Sequence, residues 1–182
     1  MAVRKASAYS KRKVTPFTRI SKKKKKSYIK TVPPQKIVKF SMGNLKAYRA
    51  GKLPLVLKVL STENVQIRHF ALEACRQFIN KKMDTELSGN YLFKVVPFPH
   101  HIQRENKMLT GAGADRMQTG MQLSYGKSAD KAAIVKKGKT IFILALPDKA
   151  AMTLARKTIK QVRPKLPGKI TTREEVFVKR DK

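Results

Sequence analysis

The sequence contains one cysteine and no long apolar run, and each shortage excludes a class of protein. The single residue, Cys75, excludes an internal disulfide and a cysteine-based zinc cluster, and we expect it to be a buried apolar side chain. No run of eighteen apolar residues occurs, and the N-terminus is charged where a signal peptide would have an apolar segment. We therefore expect a soluble, cytoplasmic chain with no membrane partner.

Acidic residues are also scarce, and they are absent from the first third of the chain. Eighteen Lys and Arg residues precede the first acid, Glu63, and the totals are 42 basic against 11 acidic residues, a net charge of +31. A compact chain with this charge repels itself unless a polyanion neutralises it, so a phosphate-rich partner is expected. The length of 182 residues and a hydrophobic content of 41% suit one domain with a modest core.

Residues 1–35 form a basic segment with few apolar residues, which we predict to be an RNA-binding arm. It is too polar to order itself in water and should stay extended until it meets its partner. Tyr9, Phe17 and Tyr28 could stack on bases. A disordered tail and a nuclear-import signal are the alternatives. The predicted RNA-binding cations of the arm are Arg4, Lys5, Lys11, Arg12, Lys13, Arg19, Lys22, Lys23, Lys24, Lys25 and Lys26.

The middle of the chain alternates strand and helix patterns. Residues 37–40 read as a short strand that runs into a turn, and residues 53–60 as an apolar strand. Apolar residues at helical spacing then predict a helix from a cap at Ser61 or Thr62 to about Met83. Its opposite face carries Arg68 and Arg76, which are either solvated or in contact with RNA.

The second half repeats these patterns. Residues 91–97 are a predicted strand, and residues 132–135 and 140–146 a hairpin closed by residues 136–139. Asp148 should cap a second helix that ends at Pro164; the cations of its exposed face are Lys149, Arg156, Lys157, Lys160 and Arg163. The last fifteen residues either add an edge strand or trail into RNA. The fold class is α+β, with two helices covering one face of a mainly antiparallel sheet.

Residues 103–117 read as a polar, glycine-containing loop carried by this scaffold. Glycine lets a backbone approach a sugar–phosphate chain closely, cations hold phosphate, and amides can bond to base edges. The alternative is a mobile surface loop. The residues that support RNA contact are Arg104, Asn106, Lys107, Met108, Gly111, Gly113, Asp115 and Arg116, followed downstream by Lys127.

Catalytic and metal chemistry are disfavoured in the same region. The segment that begins Gly111-Ala112-Gly113 lacks the third glycine of a dinucleotide-binding turn. His100 and His101 have no further ligand nearby and are better read as surface or RNA-contacting residues. Glu105 and Asp115 each neighbour an arginine, which favours ion pairing over acid–base catalysis. We expect no enzyme activity, no cofactor and no metal site.

Thirteen consecutive residues, RENKMLTGAGADR at 104–116, followed by QTGM at 118–121 and YGK at 125–127, resemble the archaeal and eukaryotic large-subunit ribosomal protein ten family, the counterpart of bacterial large-subunit protein sixteen. The segments FSMGN at 40–44, VQIR at 65–68 and LPGK at 166–169 extend the resemblance over roughly residues 36–170. The last of these favours an archaeal source.

The resemblance implies a structural protein of the large ribosomal subunit with a hammerhead-like α/β sandwich. It would bind 23S-type rRNA near 5S rRNA and the central protuberance, beside neighbouring ribosomal proteins. Its loop at 103–117 would lie near the peptidyl transferase region and help position A- and P-site tRNA. The expected organisation is an arm at 1–35, a globular domain at 36–170 and a tail at 171–182. A free-standing RNA-binding regulator or chaperone is the alternative.

Overall fold

The computed structural model describes Ser10, residues 16–105 and residues 126–176. Within these residues the fold is α+β, as predicted, but it contains two antiparallel sheets instead of one. The elements in chain order are α1 (Lys24–Ser27), β1 (Ser41–Gly43), α2 (Leu45–Arg49), β2 (Leu55–Ser61), β3 (Val65–Arg68), α3 (His69–Leu87), β4 (Leu92–Val95), β5 (His101–Glu105), β6 (Lys127–Val135), β7 (Thr140–Leu146), α4 (Lys149–Val162), a 3-10 turn (Arg163–Lys165) and β8 (Ile170–Val176).

The larger sheet has five strands in the order β1-β4-β7-β2-β8, and the smaller has three in the order β3-β6-β5. Alternation along the central strands gives the larger sheet two apolar faces. Leu57, Phe93 and Leu144 lie side by side on one face and join the main core, whereas their neighbours Val56 and Ala145 belong to a second cluster beneath α2.

Helices α3 and α4 contribute the helical part of the main core. Helix α3 buries Leu72, Cys75, Ile79 and Met83, spaced three or four residues apart. The burial predicted for Cys75 is confirmed, and burial raises the pKa of its thiol to about 12. Helix α4 begins after Asp148, as predicted, although no side-chain hydrogen bond of Asp148 caps it.

The first strand begins later than predicted and ends at a turn that requires glycine. The strand is β1, which follows the predicted residues 37–40, and Gly43 ends it at φ +89°. A Cβ at Gly43 would lie 2.1 Å from the Tyr91 carbonyl oxygen, so only glycine fits there. Asn44 then caps α2 by accepting a hydrogen bond of 2.8 Å from the Ala47 amide.

The long helix predicted from Ser61 or Thr62 begins later, at His69. Residues 65–68 form β3 instead, because Val65 and Ile67 alternate with polar residues and pair with Val135 and Ala133 of β6. Pairing with a distant strand therefore overrides the helical spacing that Ile67 shares with the residues after it.

The predicted hairpin is wrong in its pairing, although both strands exist. Strand β7 is flanked on both edges by β2 and β4, which leaves no edge for β6. Strand β6 pairs with β3 and β5 in the other sheet, so residues 136–139 connect the two sheets. At the C-terminal end, Ile170–Val176 forms the edge strand β8, which is the first of the two alternatives for this segment.

Candidate nucleic-acid interface

Strands β5 and β6 carry the ends of the predicted loop. Their antiparallel ladder runs from His101 opposite Ala132 to Glu105 opposite Lys127. Residues 103–105, expected to be part of the loop, belong to β5, so that boundary is wrong. The remaining loop residues of the prediction lie outside the described part of the chain; these are Asn106, Lys107, Met108, Gly111, Gly113, Asp115 and Arg116.

Phe17 of the basic arm packs against β5. Its amide donates to His101 Nδ1 at 3.0 Å, and its carbonyl accepts from the Ile102 amide at 3.0 Å. The guanidinium carbon of Arg104 lies 3.4 Å from the centre of the Phe17 ring, a cation–π arrangement. The pairing of β5 with β6 shifts in register between Gln103 and Arg104, next to this contact. We call Phe17, His101 and Arg104 the arm anchor.

The arm anchor corrects two predictions. Phe17 is 6% exposed, so it is unavailable for stacking on RNA bases, and the arm is held to the domain at this residue instead of remaining extended. His101 is buried as well, and burial together with the nearby charge of Arg104 lowers the pKa of its imidazole to about 4. A neutral ring is what allows Nδ1 to accept from the Phe17 amide. Only His100 of the histidine pair is exposed.

Arg68 lies in a buried polar network between β3 and β5. Its Nε donates to Gln103 Oε1 at 3.1 Å, and Gln103 Nε2 donates to Gln66 Oε1 at 3.3 Å. All three side chains are buried, and Arg68 is 7% exposed. The exposed position predicted for Arg68 is therefore wrong, because this residue ends a strand of the smaller sheet and does not lie on the outer face of a helix.

His69 is buried beside this network, at the first position of α3. Its Nε2 lies 3.2 Å from Asp130 Oδ1 on β6. Burial lowers the pKa of His69, and Lys36 and Lys131 lower it further, whereas Asp130 opposes the shift. The root of the predicted loop thus rests on buried polar side chains from β3, β5 and α3, with the half-buried Asp130 of β6 beside them.

Arg76 is engaged within α3. Its Nε and Nη2 donate to the two carboxylate oxygens of Glu73 at 2.8 and 2.6 Å, and Gln77 donates to Glu73 at 2.9 Å. The hydrogen bonds from Arg76 hold the pKa of Glu73 below its usual range. The side chain of Arg76 is 13% exposed, so the solvated face predicted here is wrong at this position too.

The other described cations of the prediction are at the surface. Arg19, Lys22, Lys23, Lys24 and Lys127 are exposed, and Lys26 is half-buried with its Nζ 6.0 Å from the Phe17 ring centre. The described residues exclude Arg4, Lys5, Lys11, Arg12, Lys13 and the side chain of Lys25. The structure thus separates the predicted RNA-binding residues into buried structural cations and exposed ones.

Sequence reasoning missed the arm anchor and the Gln66–Gln103 pair. Phe17 and His101 are 84 residues apart, and no local pattern in either segment indicates that they meet. Residues 101–105 contain one apolar side chain, Ile102, among four polar ones, a pattern that is compatible with a loop. The one available signal was the β-branched and aromatic content of the flanking residues, which does not identify a partner strand.

Two absences apply to the described residues alone. None of their helices has the length and apolar character required to cross a bilayer. No group of three or more His, Cys, Asp or Glu side chains among them is placed to hold a metal ion.

A family model described as ribosomal protein L16p/L10e matches residues 16–173. The match covers the smaller sheet, both long helices, the ends of the predicted loop and all of the larger sheet except the last three residues of β8. The chain belongs to the ribosomal protein L16p/L10e family. The resemblance drawn from residues 104–116 is thereby confirmed, and so is the prediction of a structural ribosomal protein that is not an enzyme.

Archaeal relatives in the family cover most of the chain. The large ribosomal subunit protein uL16 of Methanoculleus marisnigri is 44% identical over 137 residues, which are 72% of this chain and 78% of the relative. The protein of the same name from Hyperthermus butylicus is 40% identical over 153 residues, which are 84% of this chain and 79% of the relative. That from Methanococcus maripaludis is 38% identical over 169 residues, covering 92% and 91%.

Proposed function

We propose that this chain is a structural constituent of the large ribosomal subunit, located in the cytoplasm, that binds and organises 23S-type rRNA and contacts neighbouring ribosomal proteins. The observation that carries the proposal is the match of residues 16–173 to a ribosomal protein family, with relatives named as large-subunit proteins. The exposed cations of the arm support it, because lysine and arginine side chains neutralise phosphate and release counterions.

The finer proposal is a position near 5S rRNA and the central protuberance, within a hammerhead-like sandwich that extends a basic arm. The segment 103–117 would then lie near the peptidyl transferase region and help to position A- and P-site tRNA. Its sequence supports this role through glycines at 111 and 113 and cations at 104, 107 and 116. The arm anchor supports it further, because Phe17 holds Arg104 two residues before the segment that begins at residue 106.

Sedimentation tests the main proposal. After a salt wash that leaves large subunits intact, the chain should remain with the large-subunit fraction. Recovery mainly in light fractions, with RNA attached, would instead support a free-standing RNA-binding regulator or chaperone.

A deletion tests the role of the loop segment. Removing residues 106–116 spares Arg104 and Glu105 of β5, and we expect the variant to fold, join large subunits and slow tRNA accommodation. A control with Lys136, Lys137 and Lys139 changed to glutamine removes exposed charge elsewhere and should accommodate tRNA normally. Normal accommodation by the deletion variant would contradict the proposed role.

A further inference from the structure

A groove runs between helix α4 and the edge strand β8. It comprises two cavities of about 370 and 480 Å³, the smaller towards the start of α4 and the larger towards its end. Arg156 and Glu174 line both cavities, and their side chains form an ion pair. This pair therefore divides one continuous groove, whose apolar part includes Met152 and Ile159.

Four exposed cations, three in α4 and one immediately after it, line this groove: Lys149, Arg156, Lys160 and Arg163. Their spacings of seven, four and three residues place them within about 60° of each other around the helix axis. Arg163 follows the last residue of α4 but keeps helical dihedral angles, so it continues the row. At 1.5 Å per residue the row is about 21 Å long. We call these four residues the α4 stripe.

Acidic groups oppose the stripe only in part. Glu174 pairs with Arg156, and Glu175, which also lines the smaller cavity, pairs with Lys58 of β2 on the neighbouring strand. In the described residues, no ion pair engages Lys149, Lys160 or Arg163. The groove therefore has a net positive charge spread along a line.

We infer that this groove binds a run of RNA phosphodiesters along the α4 stripe. A linear row of cations requires an extended anion with regularly repeated charge, and an RNA backbone carries one negative charge per nucleotide. Lysine and arginine hold such phosphates without reading bases, so the site would fix the position of the protein on RNA and not its sequence preference. The inference rests on the proposed function, since it takes the RNA to be that of the large subunit.

Glu174 has a specific part in this arrangement. It forms an ion pair with Arg156, whose side chain is 55% exposed, and its own side chain is 45% exposed. The carboxylate therefore repels a phosphate that approaches Arg156, and the phosphate must displace it in order to bind. Removing the charge of Glu174 should strengthen RNA binding, which loss of an ordinary structural ion pair would not do.

The test uses the full chain and large subunits from which this protein has been removed, with binding followed by cosedimentation at several salt concentrations. We expect the change of all four stripe residues to glutamine to weaken binding by more than roughly tenfold and to reduce the slope of log affinity against log salt by roughly three units. The matched control changes four exposed lysines outside the groove to glutamine: Lys136, Lys137, Lys139 and Lys157. It should retain a slope near that of the unaltered chain.

Glu174→Gln should have the opposite effect on affinity and strengthen binding to the depleted subunits by roughly threefold. Circular dichroism and thermal midpoints of all variants should match those of the unaltered chain. Three results would each overturn the inference. The stripe variant could bind as tightly as the unaltered chain, the stripe and control variants could lose equal affinity, or a protein could be cross-linked in the groove. Failure of the unaltered chain to bind depleted subunits would instead overturn the proposed function.

Discussion

The root of the predicted loop and the α4 stripe both display arginine, but in opposite environments. Arg68 is 7% exposed and donates to Gln103, and Arg104 stacks on Phe17. The side chain of Arg156 is 55% exposed, and its ion-pair partner Glu174 is also open to solvent. A buried guanidinium has given up water and depends on its protein partners, whereas an exposed one remains available to phosphate.

This difference teaches that the number of cations in a segment does not locate its RNA contacts. Two segments that resemble the family contain arginines with a structural part: Arg68 is buried in the smaller sheet, and Arg104 is half-buried against Phe17 of the arm. The α4 stripe carries no comparable sequence motif, yet its charges face outward along one groove. Burial separates the structural cations from those that can bind RNA.

The largest expected effect on stability comes from replacing an arginine by methionine in each of the two regions. Arg68→Met keeps an unbranched apolar stem but removes the guanidinium that donates to Gln103 Oε1, and it should lower the free energy of unfolding by about 2–3 kcal/mol. Arg156→Met should change it by less than about 0.5 kcal/mol. Chemical denaturation of both variants measures the two values, and equal losses would remove the distinction between the regions.

The pH dependence of stability should come from the buried region. Burial lowers the pKa of His101 to about 4, so between about pH 6.5 and 4 the unfolded chain binds a proton that the folded chain does not. The contribution of His101 to stability is then complete above about pH 6.5 and falls as the pH drops, by about 2.5 kcal/mol at pH 4.5.

The burial of His69 adds a change of the same sign. Replacing His101 by glutamine, which can still accept a hydrogen bond, should flatten the dependence in denaturation curves at pH 7 and pH 4.5. An unchanged dependence in this variant would mean that His101 does not titrate as its burial requires.

A smaller effect is expected at the arm anchor. Arg104→Ala removes the cation from the Phe17 ring and should cost about 1 kcal/mol of stability. The protease should also cleave the arm of this variant faster in limited proteolysis, because Phe17 is held less firmly. Lys22→Ala, an exposed change in the same arm, serves as the control. Identical cleavage of the two variants would argue against an anchor at Arg104.

Local patterns predicted the elements better than their pairing. Helix α4 and strands β2, β4 and β7 appear close to the predicted residues because their patterns are confined to short windows. Arg68 shows the limit: Val65 and Ile67 fit a strand as well as the start of a helix, and only the distant partner β6 decides between them. The same holds for β6 and β7, which a turn joins but whose hydrogen bonds go to different sheets.

The candidate site was predictable where its signal is a contiguous motif, but not where the site is a surface built from separate elements. Residues 104–116 indicated the family directly. The burial of Arg68, Arg76 and His101 depends on side chains contributed by other elements, so charge alone placed them wrongly at the surface. The α4 stripe was visible as a basic helix face, but its groove required the position of β8.

Directed hydroxyl-radical probing tests most directly the claim that RNA lies along the α4 stripe. Thr153→Cys places a tether for iron–EDTA at an exposed position in the groove. The native Cys75 should stay unlabelled, because it is buried and the pKa of its thiol is raised to about 12. In reconstituted large subunits we expect rRNA cleavage from the tethered variant above the background of the unaltered chain. Cleavage no greater than that background would contradict the account.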